Sequence, residues 1–182
     1  GSIDKTKFAI NLFQKPRDNR IKIINNDKNI GLPASLNKGI KEASGEYIVR
    51  VDSDDYVNVN FLSSLAFYLD SYKETSAISC DYILVDKDEK IIRTVSSKDE
   101  PIACGIMFRK DCLVDIGMYD EQFRCMEEKE LRMRFEKKYK IDHLNLPLYR
   151  YRRHSQNMTN SLKSLNKYKD LLEKVHPSIP LQ

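Results

Sequence analysis

The run Tyr47-Ile48-Val49-Arg50-Val51-Asp52-Ser53-Asp54-Asp55 passes from apolar, β-branched residues straight into three carboxylates separated by one serine. A strand ending this way sets hard oxygen ligands at the rim of a sheet, where a divalent cation and a phosphate-bearing ligand can share them. Along such a strand side chains alternate, so Ile48, Arg50 and Asp52 share a face and Arg50 can approach Asp52. Magnesium or manganese is usually held by one or two carboxylates plus substrate phosphates, and an alternating Asp-Ser-Asp leaves coordination positions for the ligand. A solvated turn uses the same residue types, and the buried strand in front of this one adds weight to the metal reading without deciding it.

Three further groups carry polar chemistry. Asn29-Ile30-Gly31-Leu32-Pro33 leads into a helix through Asn37, so free amides at its start can meet an anion or a ribose; Asn and Gly also make ordinary turns. Glu127, Glu128 and Glu130 open another helix, where acidic residues gain about 0.3–1 kcal/mol each from the dipole whether or not they do chemistry. Arg150, Arg152, Arg153 and His154 close a strand, as solvent-facing charges or as an anion-binding cluster.

The elements that must position these groups alternate. Apolar spacing predicts a helix over 4–14 capped by Ser2, a strand over 21–24, and a helix from Pro33 with Leu36, Ile40 and Ala43 inward, stopped by Gly45. The strand into the acidic loop follows, then a helix burying Phe61, Leu62, Leu65, Tyr68 and Leu69. Helix–strand alternation implies a parallel sheet with crossover helices, and the strands 77–85 and 91–95 around Asp86-Lys87-Asp88-Glu89-Lys90 add a hairpin beside it. Downstream come a strand at 106–108, a short helix stopped by Gly117, a helix from Glu127, and short strands over 141–144 and 148–152. A last helix carries Leu162, Leu165, Tyr168, Leu172 and Val175 as one stripe. The expected class is α/β, a mixed sheet with mostly parallel strands and flanking helices. Because the alternation opens on a helix, an earlier strand is expected upstream.

At 182 residues the chain suits one domain over 1–160, with a C-terminal amphipathic helix and tail over 161–182. Lys plus Arg exceed Asp plus Glu by 31 to 27, a net +4 that permits contact with anionic lipid or diphosphate and does not call for nucleic acid. Cys80, Cys104, Cys112 and Cys125 form no Cys-x-x-Cys pair, which speaks against a zinc site or disulfide framework and for reduced thiols in the cytoplasm. No apolar stretch approaches the roughly 18 residues of a membrane span.

Taken together, Gly117-Met118-Tyr119-Asp120-Glu121, Glu127 to Phe135 and Leu148-Tyr149-Arg150-Tyr151-Arg152-Arg153-His154 resemble the ordered blocks of the family 2 glycosyltransferases, from Gly1 to about Ser161. The resemblance implies a GT-A fold and inverting transfer of a sugar from a nucleotide-diphosphate donor, uridine-based, to a glycan or lipid-linked acceptor hydroxyl, with Mn²⁺ or Mg²⁺. Residues 1–6 resemble the tail of a family segment whose preceding strand and base-binding loop would lie upstream. Carried over, Asp54 is the direct metal ligand, Asp52 lies near the metal or ribose, His154 reaches the metal or diphosphate, and Asp55 orients the loop at the donor. Asn29, Gly31 and Asn37 fall near the donor, and Arg153 is the cation for its diphosphate. Where the family usually has Glu-Asp this chain has Glu127-Glu128, which makes Glu128, or Glu127 beside it, the base for the acceptor hydroxyl. The setting implied is bacterial surface polysaccharide or lipid-linked glycan synthesis at the inner face of the membrane, with the lysines of the last helix toward anionic lipid. The rival readings are an inactive, partner-binding module of the same fold and a nucleotidyltransferase, the latter lacking its glycine-rich triphosphate loop.

Overall fold

The computed structural model describes residues 4–13, 20–154 and 162–177. Helix α1 (Thr6–Phe13) begins where the Asp4 carboxylate accepts the Thr6 amide at 2.9 Å; the predicted cap, Ser2, lies outside the described residues. Helix α2 (Leu32–Glu42) has Pro33 in its first turn, where the missing amide costs nothing, and buries Ile40. Strand β1 (Tyr47–Val49), strand β2 (Tyr56–Val57) and helix α3 (Phe61–Ser71) follow. Strands β3 (Ala77–Val85) and β4 (Ile91–Val95) form the expected hairpin, and β5 (Ile106–Arg109) runs into helix α4 (Lys110–Asp115). Helix α5 (Glu127–Glu136), strand β6 (Ile141–Arg152) and helix α6 (Leu162–Val175) complete the order.

The sheet runs β1-β5-β3-β6-β2, with β4 added on β3. It is mixed, as expected, but the balance differs: β3–β6 is parallel, while β1–β5, β3–β5, β3–β4 and β2–β6 are antiparallel. The reason is an insertion. β1, β3 and β6 do share a direction, as helical crossovers require, but β5 lies between β1 and β3 and runs against both. Helix periodicity reports that a crossover exists, not which strand fills the gap it leaves.

Period-two alternation sorts side chains onto two faces. Ile78, Cys80 and Tyr82 of β3, Met107 of β5 and Tyr149 of β6 pack under Phe61, Leu65 and Leu69 of α3. Ala77, Ile106 and Phe108 pack on the other side with Ile40, Leu113, Leu131 and Phe135 from α2, α4 and α5. Leu62, predicted inward, is 55% exposed, because one residue past Phe61 it is turned about 100° off the 61/65/69 stripe.

Residues 21–24 form no strand, since no neighbour among the described residues pairs with them. The two short strands predicted near the C-terminus are one: β6 passes through a register shift, the successive β3 residues Cys80 and Asp81 pairing with Leu144 and then Pro147, where proline has no amide for the ladder. Buried Asp81 sits at that shift, its Oδ1 2.6 Å from His143 Nε2 and accepting the Ser97 amide at 3.0 Å. Helix α6 buries Leu172, and His176 just past its end meets α5, its Nε2 3.3 Å from Glu130 Oε1. Val175, predicted in its apolar stripe, is 46% exposed, and the side chains of Leu162 and Leu165 lie outside those described. No helix among the described residues is long and apolar enough to cross a membrane.

Candidate functional site

A cavity of about 560 Å³ opens where five segments meet: Leu32 and Leu36 of α2, the strand end and acidic loop from Arg50 to Asp54, the segment 101–104, residues 125–128 at the start of α5, and Tyr151 of β6. The aspartates after β1 and the glutamates of α5, more than 70 positions apart in sequence, therefore face one space.

Arg50 joins the two acidic groups. Its Nε and one terminal nitrogen bind the two oxygens of Asp52 at 2.6 and 2.9 Å, and its other terminal nitrogen binds Glu127 Oε1 at 3.0 Å. Burial works against the Arg50 charge, but the hydrogen bonds and charge of Asp52 more than offset it and hold the guanidinium pKa above its ordinary value.

Glu127 is 5% exposed and committed to Arg50. Glu128 is the next residue of the same turn and lines the cavity, where burial and then the Glu127 charge push its pKa from 4.5 up to about 7. Its own backbone amide and Arg50 pull in the opposite direction. The turn is set by Met126, whose φ of 62° places a non-glycine residue in the left-handed region immediately before the helix. A carboxylate that titrates near neutrality at the wall of a cavity has the proton affinity of a general base.

Across the cavity, Asp54 Oδ2 lies 2.9 Å from His154 Nε2, a carboxylate and an imidazole of β6's end brought together from 100 residues apart. Asp52, expected near the metal, has both oxygens on Arg50. Asp55, expected at the donor, instead turns inward: it accepts the Tyr149 hydroxyl at 2.7 Å and the Arg152 amide at 2.8 Å, while the Tyr149 hydroxyl accepts the Asp52 amide at 3.2 Å. Burial leads the upward push on the Asp55 pKa, against those two hydrogen bonds. Asp55 thus fixes the loop onto β6. Ligand atoms of Asp52, Asp55 and Cys104 also lie within 4.8 Å of one another, but Arg50 and Tyr149 already engage the carboxylates, and burial lifts the thiol to about 12. Asp54 with His154 is the better pair for a cation.

The remaining sequence candidates divide. Asn29 Oδ1 accepts the Gly31 amide at 2.9 Å, and Gly31 turns at φ 89° with the Arg124 side chain 3.5 Å from where a Cβ would sit, which delivers Leu32 to the cavity. Asn37 is buried away from it: its amide donates to the Tyr119 carbonyl at 2.8 Å and its oxygen accepts the Tyr119 amide at 2.9 Å. The asparagine ties α2 to the loop before α5, so its place in the fold explains it without a donor contact. Arg153 is exposed and does not line the cavity; its amide extends the β3 edge by donating to the Val85 carbonyl at 2.8 Å. Sequence reading missed Met126, Cys104, Tyr149 and the wall at 101–104. Tyr149 entered the sequence reading only as a member of the block 148–154, and nothing local marks a hydrophobic loop residue as a cavity wall.

The family model "Glycosyl transferase family 2" matches residues 1–149. An "Uncharacterized glycosyltransferase" of Haemophilus influenzae is 37% identical over 93 residues, which is 50% of this chain and 28% of that protein. Among solved structures, S. aureus TarS (residues 1–349) in complex with UDP-GlcNAc superposes with a TM-score of 0.73 at 18% identity, over all of this chain and 56% of that one. The mannosyltransferase PcManGT from Pyrobaculum calidifontis in complex with GDP-Man and Mn²⁺ superposes at 0.71 with 11% identity, over all of this chain and 54% of its own. The chain therefore spans between about a quarter and somewhat over half the length of these proteins.

Proposed function

The chain belongs to glycosyl transferase family 2, and from that premise we propose that it moves a sugar from a nucleotide-diphosphate sugar to an acceptor hydroxyl with inversion at the anomeric carbon. The observation that carries this reading is the convergence on one cavity of Glu128 and Asp54, the latter with His154 Nε2 2.9 Å from its Oδ2. Glu128 takes the proton of the acceptor hydroxyl as that oxygen attacks, which a carboxylate with a pKa near 7 does efficiently at neutral pH. Asp54 Oδ2 and His154 Nε2, 2.9 Å apart, would hold Mn²⁺ or Mg²⁺ between them. Such an ion, when bound, neutralises the charge of the leaving diphosphate. Asp52, held by Arg50, would meet the donor's ribose, and Leu32, Leu36 and Ile102 give the cavity its apolar wall.

The bound donors in TarS and PcManGT, one a uridine and one a guanosine sugar, support a nucleotide-sugar donor. A uridine donor is the form proposed here, with a glycan or lipid-linked acceptor of a bacterial surface polysaccharide pathway. An acceptor carried on lipid would bring exposed Lys167, Lys169 and Lys174 of α6 toward an anionic surface.

Calorimetry of the full-length protein with UDP-sugars and GDP-sugars, in Mn²⁺ and again in EDTA, tests the reading. Metal-dependent donor binding, with Glu128→Gln binding donor normally and transferring nothing, is the expected result. Donor binding indifferent to metal, or full turnover by Glu128→Gln, would overturn it.

A further inference from the structure

Among the residues lining the cavity, Arg50 alone carries a permanent positive charge, and it sits on the boundary between the acidic loop and helix α5. Its side chain is 11% exposed, and three nitrogens make three hydrogen bonds to carboxylates, two to Asp52 and one to Glu127. We infer that Arg50 is a positioning residue: by binding Asp52 and Glu127 at once it straps the loop to the start of α5, takes Glu127 out of the reaction as its ion-pair partner, and leaves Glu128 to receive the acceptor's proton. The inference rests on the function proposed above and assigns a division of labour between two adjacent glutamates that their sequence leaves undecided.

The geometry permits little else. Glu127 is buried at 5% exposure, and a carboxylate there with no counter-charge would stand beside the Glu128 carboxylate. Two such neighbours resist ionising together and share a proton, which would leave the base role unassigned between them. Arg50 breaks that symmetry by binding one and not the other. A lysine could not reproduce the arrangement, because a single ammonium cannot span the bidentate face of Asp52 and the more distant Glu127 in one fixed geometry. The loop is otherwise held through Asp55 to Tyr149 and the Arg152 amide, contacts that reach β6 and not α5, so Arg50 supplies the direct tie between donor side and base side. Among the described residues, the charged and titratable groups around the cavity that Glu128 lines are Glu127 and Arg50 from the strap, Asp52 and Asp54 of the acidic loop, the Cys125 and Cys104 thiols and the Tyr151 phenol.

The test is a side-chain carboxyl ¹³C NMR titration of Glu128 in the folded protein, alongside transfer kinetics. In Arg50→Met the Glu128 midpoint should rise by at least one pH unit, a tenfold gain in proton affinity. Transfer at pH 7 should fall at least fivefold, and the donor KM should rise as Asp52 loses the guanidinium that holds it. Arg50→Lys should recover the midpoint to within half a unit and part of the rate. If Arg50→Met does not fold, Arg50→Met/Glu127→Gln should fold and show a Glu128 midpoint below that of the wild type, because both the buried charge and its repulsion are gone. A Glu128 midpoint in Arg50→Met within 0.3 of the wild type, or a double variant as unfolded as the single one, would overturn the inference. The titration needs no turnover, so an inactive wild type would sink the proposed transfer reaction while the NMR midpoints still decide what Arg50 does.

Discussion

Glu128→Gln gives the sharpest check on the site, because the same carboxyl is predicted to govern both turnover and stability. Burial and the Glu127 charge raise the Glu128 pKa from 4.5 to about 7, so the folded chain holds this proton more tightly than the unfolded chain does. The sign follows from linkage. Below about pH 4.5 the group is protonated in both states and costs nothing; as pH rises to about 7 the unfolded chain releases the proton first; above that the folded chain carries a desolvated anion at full cost. At about 1.4 kcal/mol for each tenfold change in proton affinity, that cost approaches about 3 kcal/mol. Gln keeps the shape and cannot ionise. Urea unfolding of both proteins from pH 4.5 to 8 should show Glu128→Gln gaining on the wild type by up to about 3 kcal/mol, the gain developing between about pH 4.5 and 7 and staying constant above. Wild-type transfer should in turn rise through an acid limb near pH 7, the region where the stability difference develops. A stability difference that does not change with pH would refute the placement of Glu128 in a desolvated, repulsive setting, and with it the case for Glu128 as base.

Three other outcomes follow from particular contacts. Tyr149→Phe removes the hydroxyl that joins the Asp55 carboxylate to the Asp52 amide, and urea unfolding should show a loss of about 1–3 kcal/mol together with weaker metal-dependent donor binding. Asn37→Ala leaves both backbone groups of Tyr119 without their partner and should cost about 2–3 kcal/mol, yet calorimetry should find donor affinity within twofold of the wild type. Asp54→Asn should reduce Mn²⁺-dependent donor affinity tenfold or more while the thermal midpoint stays within about 2 °C, because the Asp54 side chain is 41% exposed and bears little of the fold.

Much of the architecture was legible because it depends on local periodicity. The β3–β4 hairpin, α2, α3 and α5 all stand where apolar spacing and turn residues put them. What failed was pairing. The segment 21–24 has strand-like residues but no partner among those described, and Pro147 marked a break in the chain pattern where the structure has a continuous strand with a shifted register. Strand order is a property of neighbours distant in sequence, so neither β5's insertion nor the joined β6 had a local signature.

The site divides along the same line. Residue types and spacing offered Asp52, Asp54 and Asp55 as hard ligands beside the reading as a solvated turn, the family resemblance singled out Glu127, Glu128 and His154, and alternation along the strand already aimed Arg50 at Asp52. Only the tertiary structure decided what each meets. It put both oxygens of Asp52 on Arg50, turned Asp55 into β6, buried Asn37 against Tyr119, and set Glu127 and Glu128 apart by giving one a counter-charge and the other a cavity. A side chain's identity fixes which protons and ligands it can exchange; its burial and its nearest charges fix whether it does so at neutral pH, and those arise from segments that meet only when the sheet has formed.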